Sequence, residues 1–193
     1  MSYLQKKNEM KQLLLLITLL FCIQLQAQTY IKYNPVPNIF GAINLGVETS
    51  IGKKTSFSFD ILTSPWDING KPRKFIFFVP EVRYHFKEQY KGFYAGGHVG
   101  YVQYKSQKWD YDWVPDYYQQ GFGYFIGSTL GYQLPISKKW NLDIFVGGGW
   151  QEGFYKGYDG VTGERTDGAT NWNISGDWYL YRGGVMISYK IGD

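Results

Sequence analysis

The chain has 193 residues, a formal net charge of +4, a single cysteine, 24 glycines and an aromatic content of 20%. So small and dispersed a charge offers no basic face for nucleic acid, and one cysteine excludes a disulfide framework. The excess of aromatics and glycine lies far from an average globular domain and close to the needs of a membrane β-barrel.

Residues Met1–Ala27 read as a cleaved secretory signal peptide. Lys6, Lys7 and Lys11 form a basic leader, Leu13–Ile23 is an apolar run, and Leu25-Gln26-Ala27 places a small residue before Gln28. The run is too short to be a membrane-spanning helix. Cys22 falls inside it, so the rest of the chain has no thiol. Losing three lysines and Glu9 with the leader lowers the charge from +4 to +2. Residues 28–193 suffice for one eight-stranded barrel or one sandwich.

The remaining sequence alternates with the period of two that places successive side chains on opposite faces of a strand. Thr29–Asn34 is a short first strand ending at Pro35-Val36-Pro37-Asn38. Ile39–Ile51 sets Ile43, Leu45, Val47 and Ile51 against Asn44, Gly46, Glu48 and Ser50. After the turn Gly52–Lys54, Thr55–Thr63 sets Phe57, Phe59 and Ile61 against Ser56, Ser58 and Asp60. Ser64–Lys74 is a linker with two prolines, Trp66 and an Asn-Gly pair. Phe75–Phe86 presents Ile76, Phe78, Pro80, Val82, Tyr84 and Phe86 on one face and Glu81, Arg83 and His85 on the other. Pro80 lacks a ladder donor and is expected to mark a bulge.

Across the turn Lys87–Lys91, Gly92–Tyr104 turns Phe93, Ala95, Val99 and Tyr101 outward and Tyr94, Gly96, His98 and Gly100 inward. Gln120–Leu134 and Trp140–Gln151 follow, with glycine, threonine, asparagine and aspartate on the second face. The last strand, Trp178–Ile191, sends Tyr179, Tyr181, Val185, Ile187 and Tyr189 outward. Arg182, Gly184, Ser188 and Lys190 face inward. Short connections (Gly52–Lys54, Lys87–Lys91, Pro135–Lys139) alternate with long ones (Ser64–Lys74, Lys105–Gln119, Glu152–Asp177). An apolar outside, a small and charged inside, an even strand count and alternating turns and loops describe an all-β, eight-stranded antiparallel transmembrane β-barrel of the outer membrane. A barrel this narrow is just wide enough for side chains to fill it.

Buried charges are tolerable when paired and hydrogen-bonded. The alternation therefore predicts a structural network of Arg83 and Arg182 with Glu48, Asp60, Glu81 and Asp143, joined by His98. No metal or cofactor site is expected: Asp110, Asp112 and Asp116, or Asp159, Glu164 and Asp167, lack the spacing of a calcium loop. The loop aromatics Trp109, Tyr111, Trp113, Tyr117 and Tyr118 form a candidate contact surface for glycan or protein, and otherwise extend an interfacial girdle.

Pro80-Glu81-Val82-Arg83-Tyr84-His85-Phe86 resembles small outer-membrane proteins of Bacteroidetes type that form a domain family of unknown function. Pro37-Asn38-Ile39, Leu45-Gly46-Val47-Glu48, Gly92-Phe93-Tyr94 with His98, Leu130–Pro135 and Trp140–Asp143 carry the same resemblance. It implies an eight-stranded outer-membrane barrel, some relatives being associated with surface-fibre or envelope assembly. It brings no catalytic residues. The expectation is a non-enzymatic structural or accessory subunit of an envelope complex in a Gram-negative outer membrane, with membrane lipid and a larger protein as partners. An outer-leaflet lipid A-modifying enzyme, or surface binding through the aromatic loops, is the alternative. Of two histidines, His85 sits beside a turn and His98 has no serine close in sequence, which suits an outer-leaflet triad poorly.

Overall fold

The computed structural model describes residues 28–107, 116–168 and 171–191. Met1–Ala27, together with Trp109, Tyr111 and Trp113, lies outside them. The described chain is all-β, with strands β1 (Thr29–Asn34), β2 (Ile43–Ser50), β3 (Thr55–Ser64), β4 (Asp67–Ile68), β5 (Lys71–His85), β6 (Gly92–Ser106), β7 (Tyr117–Pro135), β8 (Trp140–Asp159) and β9 (Asn173–Ile191). Sequential strands pair antiparallel except β3 with β4, while β1 pairs β9 and β3 pairs β5, so the sheet closes on itself. Of the nine strands, two-residue β4 pairs only with β5, which leaves eight around the ring. Among the described residues no helix is long and apolar enough to cross a membrane.

The outward faces are apolar and bare: Leu45, Val82, Phe93, Val99, Ile126, Leu130 and Ile144 are all exposed. Their neighbours in sequence are buried inside the ring, including Glu48, Glu81, Arg83, His98 and Asp143. The expected inversion of polarity is thus a property of the folded chain.

Five local features differ from the sequence reading. The connection expected over Glu152–Asp177 is partly strand, because β8 runs on to Asp159 and β9 already begins at Asn173. The stretch from Ile39 does not begin a strand. Pro35 and Pro37 favour a turn, and a 3-10 turn over Val36–Phe40 ends at Gly41, so β2 starts at Ile43. The linker Ser64–Lys74 contains a tight hairpin, since Asn69 and Gly70 both take positive φ (53° and 76°) and join β4 to β5. Pro80 makes no bulge. Phe78↔Tyr101 and Glu81↔His98 hold one register, and only the pairs of Val79 and Pro80 with Gly100 and Val99 are missing from the β5–β6 ladder.

The bulge lies elsewhere, in β9 opposite Gly147 and Gly148, where Arg182 pairs Gly147 but Leu180 pairs Gly148. One extra residue reverses which side chains face inward. Beyond it Trp178 and Leu180 are exposed, while Tyr181 reaches the interior to bond His98 and Tyr179 borders an inner cavity. The expected outward placement of Tyr179 and Tyr181 is therefore corrected.

Candidate functional site: a charged layer beneath an apolar chamber

The inner faces of β1, β2, β3, β5 and β8 bring long charged side chains to one level of the ring, opposite small residues that leave them room. Lys32 pairs in register with Gly46, Gly46 with Asp60, Ser58 with Glu81, and Arg83 with Gly96. A Cβ added at Gly46 would collide with the Asp60 carboxylate, and one at Gly96 with that of Glu81. The glycines on these faces are thus the space that the charges occupy.

Arg83 is the centre and is wholly buried. Its Nη1 donates to Glu48 Oε2 at 2.8 Å and to Asp143 Oδ2 at 2.7 Å. Its Nε and Nη2 both donate to Glu81 Oε2, at 3.0 and 2.9 Å. The guanidinium lies 4.6 Å from the centre of the Tyr94 ring, whose hydroxyl donates to Asp143 Oδ1 at 2.9 Å. Three bonded carboxylates and a stacked ring exploit the planar fork of arginine in a way lysine would not match.

Arg182 completes the set from β9, donating through Nη2 to Asp60 Oδ2 at 2.8 Å with Nη1 3.3 Å from Glu81 Oε2. The six charged residues expected to meet do meet. His98 does not join their ion pairs. Its ring nitrogens contact Thr129 Oγ1 at 3.1 Å and Tyr181 Oη at 2.6 Å.

Sequence reasoning missed Lys32. It is fully buried, donates to Glu48 Oε2 at 3.2 Å and Ser58 Oγ at 3.1 Å, and lies 3.5 Å from Asp143 and 3.8 Å from Asp60. The signal was present in Ile31-Lys32-Tyr33, one cation between two outward apolar residues. Lys32, Arg83 and Arg182 thus face Glu48, Asp60, Glu81 and Asp143. Gln133 Nε2 and Ser56 Oγ add donors to Glu48 at 3.1 and 2.6 Å. Because the Ser56 hydroxyl proton is committed to Glu48, its 2.9 Å contact with His85 Nε2 has the ring nitrogen donating.

Below the layer, the β5–β6 turn folds across the mouth of the ring. Tyr90, with φ 61°, is buried. Its ring packs tilted against Tyr30 with ring centres 4.6 Å apart, and its hydroxyl donates to the carbonyl of Gln28 at 2.8 Å. Gln89 Nε2 donates to the carbonyls of Gly52 and Thr55 at 2.9 and 2.6 Å.

Above the layer the interior changes character. Phe75, Phe77, Val79, Phe125 and Phe145 border a cavity of about 530 Å³ that reaches up to Arg73 and Phe40. A second, of about 440 Å³, shares Phe75, Phe77, Phe125 and Tyr181 with it. The interior expected to be filled throughout is filled only on the turn side. On the loop side β5–β9 run 15–20 residues while β1–β3 run 6–10, so inward aromatics on the tall wall have no equally tall wall opposite.

Among the described residues no cluster of three or more His, Cys, Asp and Glu is arranged to hold a metal ion. Asp110 and Asp112 lie outside the described residues, and Asp116, Asp159 and Asp167 are engaged by the protein itself. Asp159 Oδ1 accepts from the backbone of Val161 and Thr162 at 2.8 and 2.7 Å, which holds its carboxyl below the usual range. Asp116 lies 3.3 Å from Lys71, and Asp167 accepts from the Gly157 amide at 2.7 Å. Of the loop aromatics only Tyr117 and Tyr118 are described, both half-buried on β7, with Tyr118 stacked on Tyr158 at 5.3 Å.

These features define an all-β protein whose closed antiparallel sheet encloses an ion-pair layer and a chamber. The chain belongs to the family described as Protein of unknown function (DUF3575), which matches residues 12–189. The resemblance carried by the motif around Glu81 and Arg83 is thereby shown at the level of a family without assigned function. No curated protein and no solved structure matches the chain significantly.

Proposed function

We infer that the protein is an eight-stranded transmembrane β-barrel of a Gram-negative outer membrane, exported through a cleaved signal peptide. Its role in this reading is non-enzymatic, as a structural or accessory subunit of an envelope or surface assembly. The observation that carries the membrane reading is the inverted polarity of the ring. Large apolar side chains such as Phe93 (66% exposed) and Leu130 (63%) stand outside, while Arg83 and Asp143 are fully buried inside. Exposed apolar area on this scale is costly in water and favourable in lipid. The long strands β5–β9 also exceed the roughly 9–11 residues needed to span a bilayer.

Lys32, Arg83 and the carboxylates of Glu48, Asp60, Glu81 and Asp143 are buried together inside the ring, with Tyr90 buried below them. This supports a plugged scaffold rather than a pore. Hydrolysis by a serine is disfavoured by the same contacts, because Ser56 is buried and gives its proton to Glu48 rather than to His85. The accessory role rests on the family resemblance and on the aromatic loop that follows β6.

Two measurements test the reading. Fractionation of the native host should place the protein in the outer membrane as a heat-modifiable band, and recovery in the soluble fraction would overturn the barrel. Mild-detergent extraction followed by mass determination should then recover a larger protein in fixed ratio. A barrel that purifies alone would sink the stable-subunit role.

A further inference from the structure

The chamber above the charged layer has three properties that narrow what it would hold. Its size, about 530 Å³, falls within the roughly 300–1,000 Å³ typical of small-molecule sites. Its walls are mainly Phe75, Phe77, Val79, Phe125 and Phe145, and the polar side chains among them, Asn34, Asn44 and Tyr181, are already hydrogen-bonded within the protein. At the floor Arg182 is occupied by Asp60 at 2.8 Å. At the mouth stands Arg73.

The charge at the mouth is distinctive. Three cations lie close together on β5, and two are paired: Lys71 with Asp116 at 3.3 Å and Lys74 with Asp67 at 2.9 Å. Arg73 alternates inward with Phe75, Phe77 and Val79, borders the chamber, and has no ion-pair or hydrogen-bond partner among the described residues. An unpaired guanidinium at the rim of an apolar cavity is suited to a carboxylate or phosphate. The buried hydroxyl of Ser64, also at this level, lacks a partner among the described residues.

The shape favours a chain over a disc. Arg73 and Val79 are six residues apart on one strand, about 20 Å. One leaflet's share of a hydrocarbon core roughly 30 Å thick is about 15 Å, so a lipid chain fits the depth. The wall is also weakest toward the apolar outer face. The β5–β6 ladder lacks two pairs at Val79 and Pro80, and Phe125 lies against Gly100 there. Phe125 borders both the chamber and an outer groove lined by Phe78, Pro80, Val99 and Ile126.

We propose that the loop-side chamber binds a single-chain anionic amphiphile, with its acyl chain along Phe77 and Phe125 and its head group at Arg73. The site is independent of any assembly partner and requires only the folded ring. Phe125, between the chamber and the outer groove, is the side chain that moves if the chain enters from the lipid side.

The test is equilibrium binding of radiolabelled palmitate, and separately of palmitoyl lyso-phosphatidylglycerol, to the full-length folded protein in maltoside detergent. At least one probe binds saturably, one molecule per chain; which one distinguishes a free fatty acid from a membrane lipid. Val79→Trp, and the milder Leu62→Phe should the first not fold, fill the chamber and weaken binding by about ten-fold or more with the heat-modifiable band intact. Arg73→Gln abolishes the preference for palmitate over uncharged hexadecanol while leaving the chamber open. Absence of saturable binding by both probes overturns the proposal, as does unchanged binding in a folded chamber-filled variant.

Discussion

On the inner face of β3, Ser56, Ser58 and Asp60 give way within two residues to Leu62, and on β5 Arg83 and Glu81 give way to Val79, Phe77 and Phe75. The same two strands therefore build a charged half and an aromatic half of one interior. In the charged half, Glu48, Glu81 and Asp143 bond Arg83, and Lys32 and Arg182 tie Asp60 to the same set. In the aromatic half, Phe125 and Phe145 line a cavity instead of closing it. A polar network of fixed donors and acceptors tolerates neither a gap nor a missing partner. An apolar lining tolerates emptiness far better, because no group in it is left unpaired. Specification sits in the first half and spare volume in the second.

The sharpest way to break this contrast is to remove the hub. Arg83→Met leaves Glu48, Glu81 and Asp143 without their main counter-charge, and truncating one side of a buried ion pair costs about 3–5 kcal/mol. The expected outcome is a large fall in thermal unfolding temperature, or loss of the folded protein. A stability close to wild type would mean that the layer is not structural. In the aromatic half, Phe125→Ala should cost less than the roughly 3–5 kcal/mol of a fully packed phenylalanine, since the ring already borders empty space. Equal losses for the two variants would erase the distinction between the halves.

A finer test compares two adjacent glycines on β6. Gly96 faces the Glu81 carboxylate, whereas a Cβ at Gly97 meets nothing within 4 Å. Gly96→Ala should destabilise by about 1–3 kcal/mol through overpacking. Gly97→Ala should be close to neutral in the same thermal assay. If both are neutral, the glycines are not what makes room for the charges.

Much of the ring was legible because its signal is strictly periodic. Alternation from Ile43 to Ile51 or from Ile76 to Tyr84 leaves one arrangement of faces, and a slip by one residue would bury the wrong set. The charged residues inherited their location from that register, which is why Glu48, Asp60, Glu81, Arg83, Asp143 and Arg182 were found together. What escaped depends on events that periodicity does not encode. The bulge opposite Gly147 and Gly148 reverses the faces of Tyr179 and Tyr181. His98 bonds Tyr181 rather than the carboxylates because that reversal brings a hydroxyl within 2.6 Å. The chamber escaped because alternation fixes faces and not strand heights. Phe75, Phe77 and Val79 lie on the same inner face as Arg83, but on a strand of 15 residues where β1 and β2 have only 6 and 8.

The smallest effect concerns the seal below the charged layer. Tyr90→Phe keeps the ring against Tyr30 and His85, centred 4.6 and 5.7 Å away, and removes only the bond to the Gln28 carbonyl. The Asn141 side chain still donates to the Tyr90 carbonyl at 2.8 Å. Loss of one such bond costs about 0.5–1.5 kcal/mol. If the interior is two independent halves, that loss appears in thermal stability and in faster hydrogen exchange near Gln28, with chamber ligand affinity unchanged, because distant sites add without coupling. A parallel drop in chamber affinity would mean that the ion-pair layer transmits strain, and the halves would then be one cooperative unit.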